Sequence, residues 1–164
     1  MKREQLPPEL REFYFDFDWD NQKTWSLTLP VETVPISELE WHLDLPIWSS
    51  VRGLPLFDLV PRDVLRRLAA HRHHREKLKK ADVSFPIDMM WSEDRYVILD
   101  GIHRLAKLKI QGAVHVKVRK IPREMIPDIQ KGSVEPALGA DVAIAPALKG
   151  AGARDNGESE GYGG

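Results

Sequence analysis

A chain of 164 residues, 42% hydrophobic and 30% charged, is long enough for one domain with a real core and too short for two comfortable ones. It has no cysteine, which excludes disulfides, thiolate metal sites and cysteine nucleophiles together and fits a reducing compartment. The net charge of -1 hides an uneven distribution: residues 1–60 hold 5 Lys/Arg against 11 Asp/Glu, residues 61–130 hold 16 against 9, and the last 34 hold 3 against 5. A local basic excess can steer anions, and a solvated helix face explains it equally well. No apolar run has the length of a membrane span. The start, MKREQLPPEL, has no apolar stretch behind its charges and does not read as a signal peptide. A cytoplasmic protein with no membrane partner is the expectation.

In chain order, FYFDFDWD (13–20) alternates Phe13, Phe15, Phe17 and Trp19 with Tyr14, Asp16, Asp18 and Asp20, which predicts a half-buried strand. The Asp-x-Asp-x-Asp spacing is not a calcium loop, because Asn21 and Leu27 stand where such a loop needs Gly and Glu. TWSLTL (24–29) reads as a second strand, a hairpin partner across DNQK, so residues 1–30 are expected to form an N-terminal strand extension. In VETVPISELEWHLDLPIW (31–48), Pro35 and Pro46 limit regular structure, and Ser37 is placed to cap a short helix. His42 and Asp44 lie two apart there, and a satisfied surface pair is the plainer reading.

PRDVLRRLAAHRHHREKLKK (61–80) predicts one long helix, with Pro61 in its first turn, Asp63 at the positive end of its dipole and Lys77, Lys79 and Lys80 at the negative end. Its apolar face, Val64, Leu68 and Leu78, continues through His71, His74 and Arg75, so the helix should border a pocket rather than a dry core. The alternative is a helix ending near Ala70 with HRHHR as a solvated turn. FPIDMMW (85–91) and RYVIL (95–99) read as strands joined at SED. A helix over 102–111 stops at Gly112, and AVHVKVRKI (113–121) alternates as a further strand. The expected fold class is α+β, a compact unit with a small mixed sheet flanked by helices, over residues 31–130. Residues 131–164 hold 8 of the 11 glycines and too little apolar surface to offset ordering entropy, so they read as a flexible tail.

The stretch ILDGIHRLAK (98–107) carries the chemistry. Asp100 is placed to cap the helix and Gly101 to let the backbone turn sharply. The free amides of the first turn, Ile102 included, and the helix dipole favour an anion. Arg104 can grip phosphate with two parallel hydrogen bonds, and His103 can donate or exchange a proton near neutral pH.

The segment from about Val34 to Arg119 resembles the ParB/sulfiredoxin superfamily. The likeness is carried by VPISEL, by FPIDMMW after a helix, by YVILDGIHRLAKLKIQG, and by the closing VHVKVR. It covers about half the chain and rests mostly on Asp100-Gly101-x-His103-Arg104-x2-Lys107. The resemblance implies that the strand–turn–helix holds nucleotide phosphates at the helix N-terminus. Sulfiredoxins carry a catalytic cysteine where this chain has Ile102, so sulfinic-acid reduction is not expected. ParB partition proteins carry Gly-Glu-Arg-Arg, bind CTP and add a helix-turn-helix DNA domain; this chain lacks the Glu-Arg-Arg and is not expected to have room for that second domain. The Asp-Gly-x-His-Arg version is similar to that of free-serine kinases.

The resemblance therefore implies a nucleotide (ATP, ADP or CTP), magnesium, and phosphoryl transfer to a small hydroxyl substrate. Gly101, Ile102, His103 and Arg104 would hold phosphate and His103 would stabilise the leaving oxygen. Asp100 would orient His103 or hold the magnesium ion, and Glu38, Glu40 or Asp44 would act as base, with Glu38 named first. His71, His74 and Arg75 would line the far wall. A zinc site from His71, His74 and His103 lacks a carboxylate or thiol at ligand spacing. The competing functions are a nucleotide-gated regulator without chemistry, and a DNA-associated module or nuclease that uses the basic helix on backbone phosphates. No DNA-reading motif accompanies that helix, and the near-neutral total charge argues against it.

Overall fold

The computed structural model describes residues 3–132. They fold as an α+β unit on a four-stranded mixed sheet ordered β1-β4-β2-β3. The strands are β1 (Glu32–Pro35), β2 (Ile87–Ser92), β3 (Arg95–Asp100) and β4 (His115–Ile121). β1 pairs antiparallel with β4, and β2 antiparallel with β3 across a two-residue turn. β2 and β4 run parallel, which requires a crossover, and helix α5 (Ile102–Ile110) supplies it. Both expected hairpin strands and the 113–121 strand are therefore present, with bounds shifted by one or two residues.

α5 forms because Ile102, Leu105 and Ala106, all without exposed surface, recur at three- and four-residue steps on one face. They join Ile87, Met90, Leu99 and Val118 in one buried core. The helix stops as the sequence predicts. Gly112 takes φ +74, its N–H bonds Lys109 O and that of Ala113 bonds Leu108 O, closing the last carbonyls in a Schellman turn. Lys107 then ties α5 to its neighbour, donating to Lys79 O and Ala81 O at the end of helix α4 (Arg72–Lys80).

Four expectations for the first 40 residues need correction. Residues 13–20 are not a strand of the sheet, although Phe15, Phe17 and Trp19 are buried as their alternation requires. Their rings pack on one another, and the backbone pairs only at an isolated bridge between Trp19 and Gln130. TWSLTL is not a strand either. Asp20 accepts from the amides of Gln22 and Lys23 at 2.8 and 3.2 Å, so DNQK opens helix α2 (Asn21–Ser26) instead of turning a hairpin. The N-terminal part thus holds short helices, α1 (Pro8–Arg11) and α2, in place of an extension of strands. Ser37 caps nothing; Ile36–Glu38 is a 3-10 turn.

The long helix 61–80 is two helices. α3 spans Pro61–Arg66, Arg67 and His71 leave helical geometry around a 3-10 turn at Leu68–Ala70, and α4 restarts at Arg72. HRHHR is accordingly neither mid-helix nor solvated turn: it opens α4. The interruption swings His73 and His74 to where both reach the Ser49 carbonyl. Among the described residues no helix is long and apolar enough to cross a membrane. Of the expected tail, residues 133–164 lie outside the described residues.

Candidate functional site

The first turn of α5 is built by Gly101, not by Asp100. Gly101 occupies the N-cap with φ +112, and no side chain caps the helix. A Cβ there would lie 2.9 and 3.1 Å from Arg104 Nη2 and Nε and 3.2 Å from Ile87 Cγ1, so both the backbone angle and the space require glycine. The expected capping role of Asp100 is overturned because its carboxylate faces other donors. Its Oδ2 accepts from Trp25 Nε1 at 2.7 Å and from Arg104 Nη2 at 3.3 Å.

Asp100 and Arg104 are 0% and 3% exposed, so they form a sealed ion pair rather than an open phosphate clamp. A second buried pair lies beside it. Across β2 and β3, Asp88 stands opposite Asp100, and Arg119 holds Asp88 through two bonds of 2.7 and 3.1 Å. Arg119 also donates to Leu27 O and Thr24 O at 2.7 and 2.9 Å. Burial pushes the Asp88 carboxyl up, against the pull of Arg119. These two arginines and two aspartates, with Trp25, strap α2 to the sheet. Asp100 Oδ1 and Arg104 Nε have no hydrogen-bond partner.

His103 leaves that cluster and faces the other way. Its ring is fully buried and stacks on Trp48 at 4.5 Å between centroids, with 13° between planes. His74 from α4 stacks on the same indole at 4.4 Å and 13°. His74 Nδ1 lies 3.3 Å from His103 Nε2, and His74 Nε2 lies 3.0 Å from Ser49 O. Burial lowers the His74 pKa to about 4, helped by the nearby His73, Lys77 and His71. Burial likewise holds His103 well below the ordinary histidine value, aided by Lys77, His74, His73 and Arg104. Both rings are therefore neutral near pH 7. His103 Nδ1 has no partner, and neither has Trp48 Nε1.

These rings line a cavity of about 200 Å³ between α4 and the loop after Trp48, with Arg52, His73 and Lys77 among the other walls and no carboxylate. The loop is closed at its base by a bridge between Trp48 and Leu59. Serines hold its shape: Ser49 Oγ accepts from the amides of Leu56 and Phe57, and Asp58 accepts from the amide and hydroxyl of Ser50. A shallower depression of about 450 Å³ adjoins the cavity, sharing Arg52 and His73 and adding Ser50, His71 and Glu76.

The expected site residues thus part company. His103 and His74 meet, 3.3 Å apart between ring nitrogens. His71 lines only the adjoining depression, and Arg75 lines neither. Gly101, Ile102 and Arg104 shape the turn without lining the cavity. Glu38 sits in a separate groove with Trp41, Arg95, Tyr96 and Lys120. Glu40 pairs with Lys109 at 2.7 Å, and Asp44 with Arg62. His42 is structural: Nδ1 donates to Leu39 O at 2.8 Å and Nε2 accepts from Ile98 N at 3.1 Å.

Asp100 does not fit a magnesium ion, because a guanidinium and an indole N–H already approach it and it is sealed from solvent. Among the described residues no three His, Cys, Asp or Glu side chains are grouped to hold a metal ion. Several wall residues escaped the sequence reading, among them Trp48, Ser49, Arg52, His73 and Lys77. Two left a signal. Arg52 is the only Lys or Arg between Lys23 and Arg62, in an acidic half, and Lys77 lies one turn after His74. Searches of family models, curated proteins and solved structures found no match to the chain.

Proposed function

We propose that the protein binds the phosphate of a nucleotide or similar phosphate-bearing small molecule in the cavity beneath Trp48, and handles a proton there through His103. The observation that carries this reading is the wall. Arg52, Lys77, His73, His74 and His103 converge on about 200 Å³, and no carboxylate lines it. Two fixed cations and three imidazoles in a partly dry site favour an anion, and Arg supplies the geometry for phosphate oxygens. The cavity suits a phosphate group, and the adjoining depression leaves room for the rest of the ligand. The resemblance of Asp100-Gly101-x-His103-Arg104 to ParB/sulfiredoxin-like proteins supports the same ligand class, with a different division of labour. Asp100 and Arg104 brace the turn, and His103 alone reaches the cavity.

The reaction this arrangement suits is transfer of a phosphoryl group to a small hydroxyl. A P–O bond forms to the acceptor, the bond to the leaving phosphate breaks, and His103 takes the hydroxyl proton in place of Glu38. Binding without chemistry uses the same cavity. Thermal melting with ATP, ADP, CTP or inorganic phosphate, each with and without magnesium, tests the ligand. A ligand present at about 100 times its dissociation constant adds ~2.7 kcal/mol of stability. At least one is expected to raise the melting temperature, and Arg52→Ala should weaken that ligand roughly tenfold or more, the worth of a hydrogen bond to a charged group. No shift with any of the four would refute the proposal. Phosphorylated serine formed from ATP or ADP separates the enzyme from the binding protein.

A further inference from the structure

The Ser49 carbonyl can only accept a hydrogen bond, so His74 Nε2, 3.0 Å away, carries a proton. A neutral imidazole has one N–H, which leaves His74 Nδ1 bare. That atom is 3.3 Å from His103 Nε2, so His103 is the donor and its own proton sits on Nε2. His103 Nδ1 is then a lone pair, buried and without a partner. Trp48 fixes both rings by stacking on each at 13°. The remaining charged or titratable neighbours are His71, His73 and Lys77 at and along α4, Arg104 from α5, Arg52 from the loop, and the Asp58 carboxylate, which is within electrostatic range of His74. Apart from Asp58, which does not line the cavity, each of them is cationic or a further imidazole, and burial keeps both rings neutral.

We propose that His74 is a positioning residue: through the Ser49 carbonyl it holds His103 in the Nε2–H tautomer and makes Nδ1 the base of the site. The two nitrogens of an imidazole point away from each other, so the lone pair is directed away from His74. When a hydroxyl gives up its proton, the O–H electrons stay on oxygen and an Nδ1–H bond forms. The proton on His103 Nε2 can then pass to His74 Nδ1, and the resulting imidazolium keeps its Nε2–H on Ser49 O. The carbonyl dipole thus meets positive charge that the unliganded rings do not carry. The inference rests on the phosphate reading for what the base meets, and not for the tautomer itself.

Nitrogen NMR of the wild-type protein with labelled histidines, at pH 7 and without ligand, reads the tautomers directly. His74 and His103 are expected protonated at Nε2 and bare at Nδ1. His42 is expected in the opposite tautomer, because its Nδ1 donates to Leu39 O and its Nε2 accepts from Ile98 N. His42 therefore serves as an internal reference. In His74→Phe, which keeps a ring on Trp48 and removes both hydrogen bonds, the two His103 nitrogens should shift toward each other as the tautomers mix. A wild-type His103 protonated at Nδ1, or an unchanged His103 in His74→Phe, overturns the proposal. If that variant does not fold, the wild-type spectrum still decides. The expected tautomers in a protein that no phosphate-bearing ligand stabilises would leave this assignment standing and remove the ligand instead.

Discussion

On one side of the first turn of α5, Asp100 and Arg104 are buried as ions; on the other, His103 and His74 are buried as neutral rings. The charged side tolerates burial because each ion meets an opposite charge, and because Trp25 and the carbonyls of Thr24 and Leu27 supply further bonds. Such a cluster is rigid, since removing one member strands the others in low dielectric. The neutral side makes fewer bonds, and each side keeps two unpartnered atoms: His103 Nδ1 and Trp48 Nε1 here, Asp100 Oδ1 and Arg104 Nε there. Neutral rings cost less to bury, and they can take up a proton when a ligand changes their surroundings. Adjacent residues of one motif are therefore placed unlike: Arg104 folds back on the turn to meet Asp100, and His103 turns to the Trp48 side as a neutral ring.

The sharpest way to break this contrast is to remove one ion. Arg119→Ala strands the Asp88 carboxylate and releases two backbone carbonyls, so unfolding in urea should show a loss of about 3–5 kcal/mol. Replacing both partners, Asp88→Leu with Arg119→Met, should recover much of that loss, because no buried charge is then unpaired. A loss under about 1 kcal/mol in the single variant would mean that the charged cluster is not structural.

The neutral cluster should fail through pH instead. Burial pushes His42 and His74 down to about 4 in the folded protein and His103 well below its ordinary value, whereas an unfolded histidine titrates near 6.5. Folded values below unfolded ones mean that below pH 6.5 the unfolded chain takes up protons that the folded chain does not. The histidine contribution is thus fully present above pH 6.5 and is lost as pH falls toward about 4. The slope approaches ~1.4 kcal/mol per pH unit for each histidine involved. Urea unfolding at several pH values should show this fall, shallower in His74→Phe. A flat profile between pH 6.5 and 4.5 would mean that the rings are charged or solvated.

How much of this was legible in the sequence follows the range of the interactions. The strands at β2, β3 and β4, the helix after Gly101 and its stop at Gly112 are set by neighbours within a few residues, and periodicity exposes them. The aromatic alternation of Phe15, Phe17 and Trp19 predicted burial correctly and the strand wrongly. Alternation reports which side chains turn inward, not whether a partner strand exists, and Asp20 as a cap outweighed the hairpin reading. The site was half legible. His74 stood out because a polar side chain occupied a core-facing slot, and His103 because it sits in the first helical turn after Asp100-Gly101. That Arg104 folds back on Gly101 to meet Asp100, and that α3 and α4 part at residues 67–71, depends on contacts across the fold that no local pattern encodes.

The two tryptophans allow the finest comparison, since each belongs to one cluster and each carries one N–H. Trp25 Nε1 donates to the Asp100 carboxylate at 2.7 Å, whereas Trp48 Nε1 is buried without a partner. Phenylalanine at either position removes the N–H and keeps an aromatic ring. At Trp25 the loss is a hydrogen bond to a charged group, about 1.5–3 kcal/mol, less than for Arg119→Ala because Arg104 stays on the same oxygen. At Trp48 the smaller ring leaves a void, while deleting an unsatisfied buried donor relieves a desolvation cost of similar size. The two effects oppose, and the net change should be about 1 kcal/mol or less. Urea unfolding of Trp25→Phe beside Trp48→Phe therefore asks whether the charged cluster uses its indole as a bond and the neutral cluster uses its indole as a surface. Equal losses in the two variants would erase that distinction.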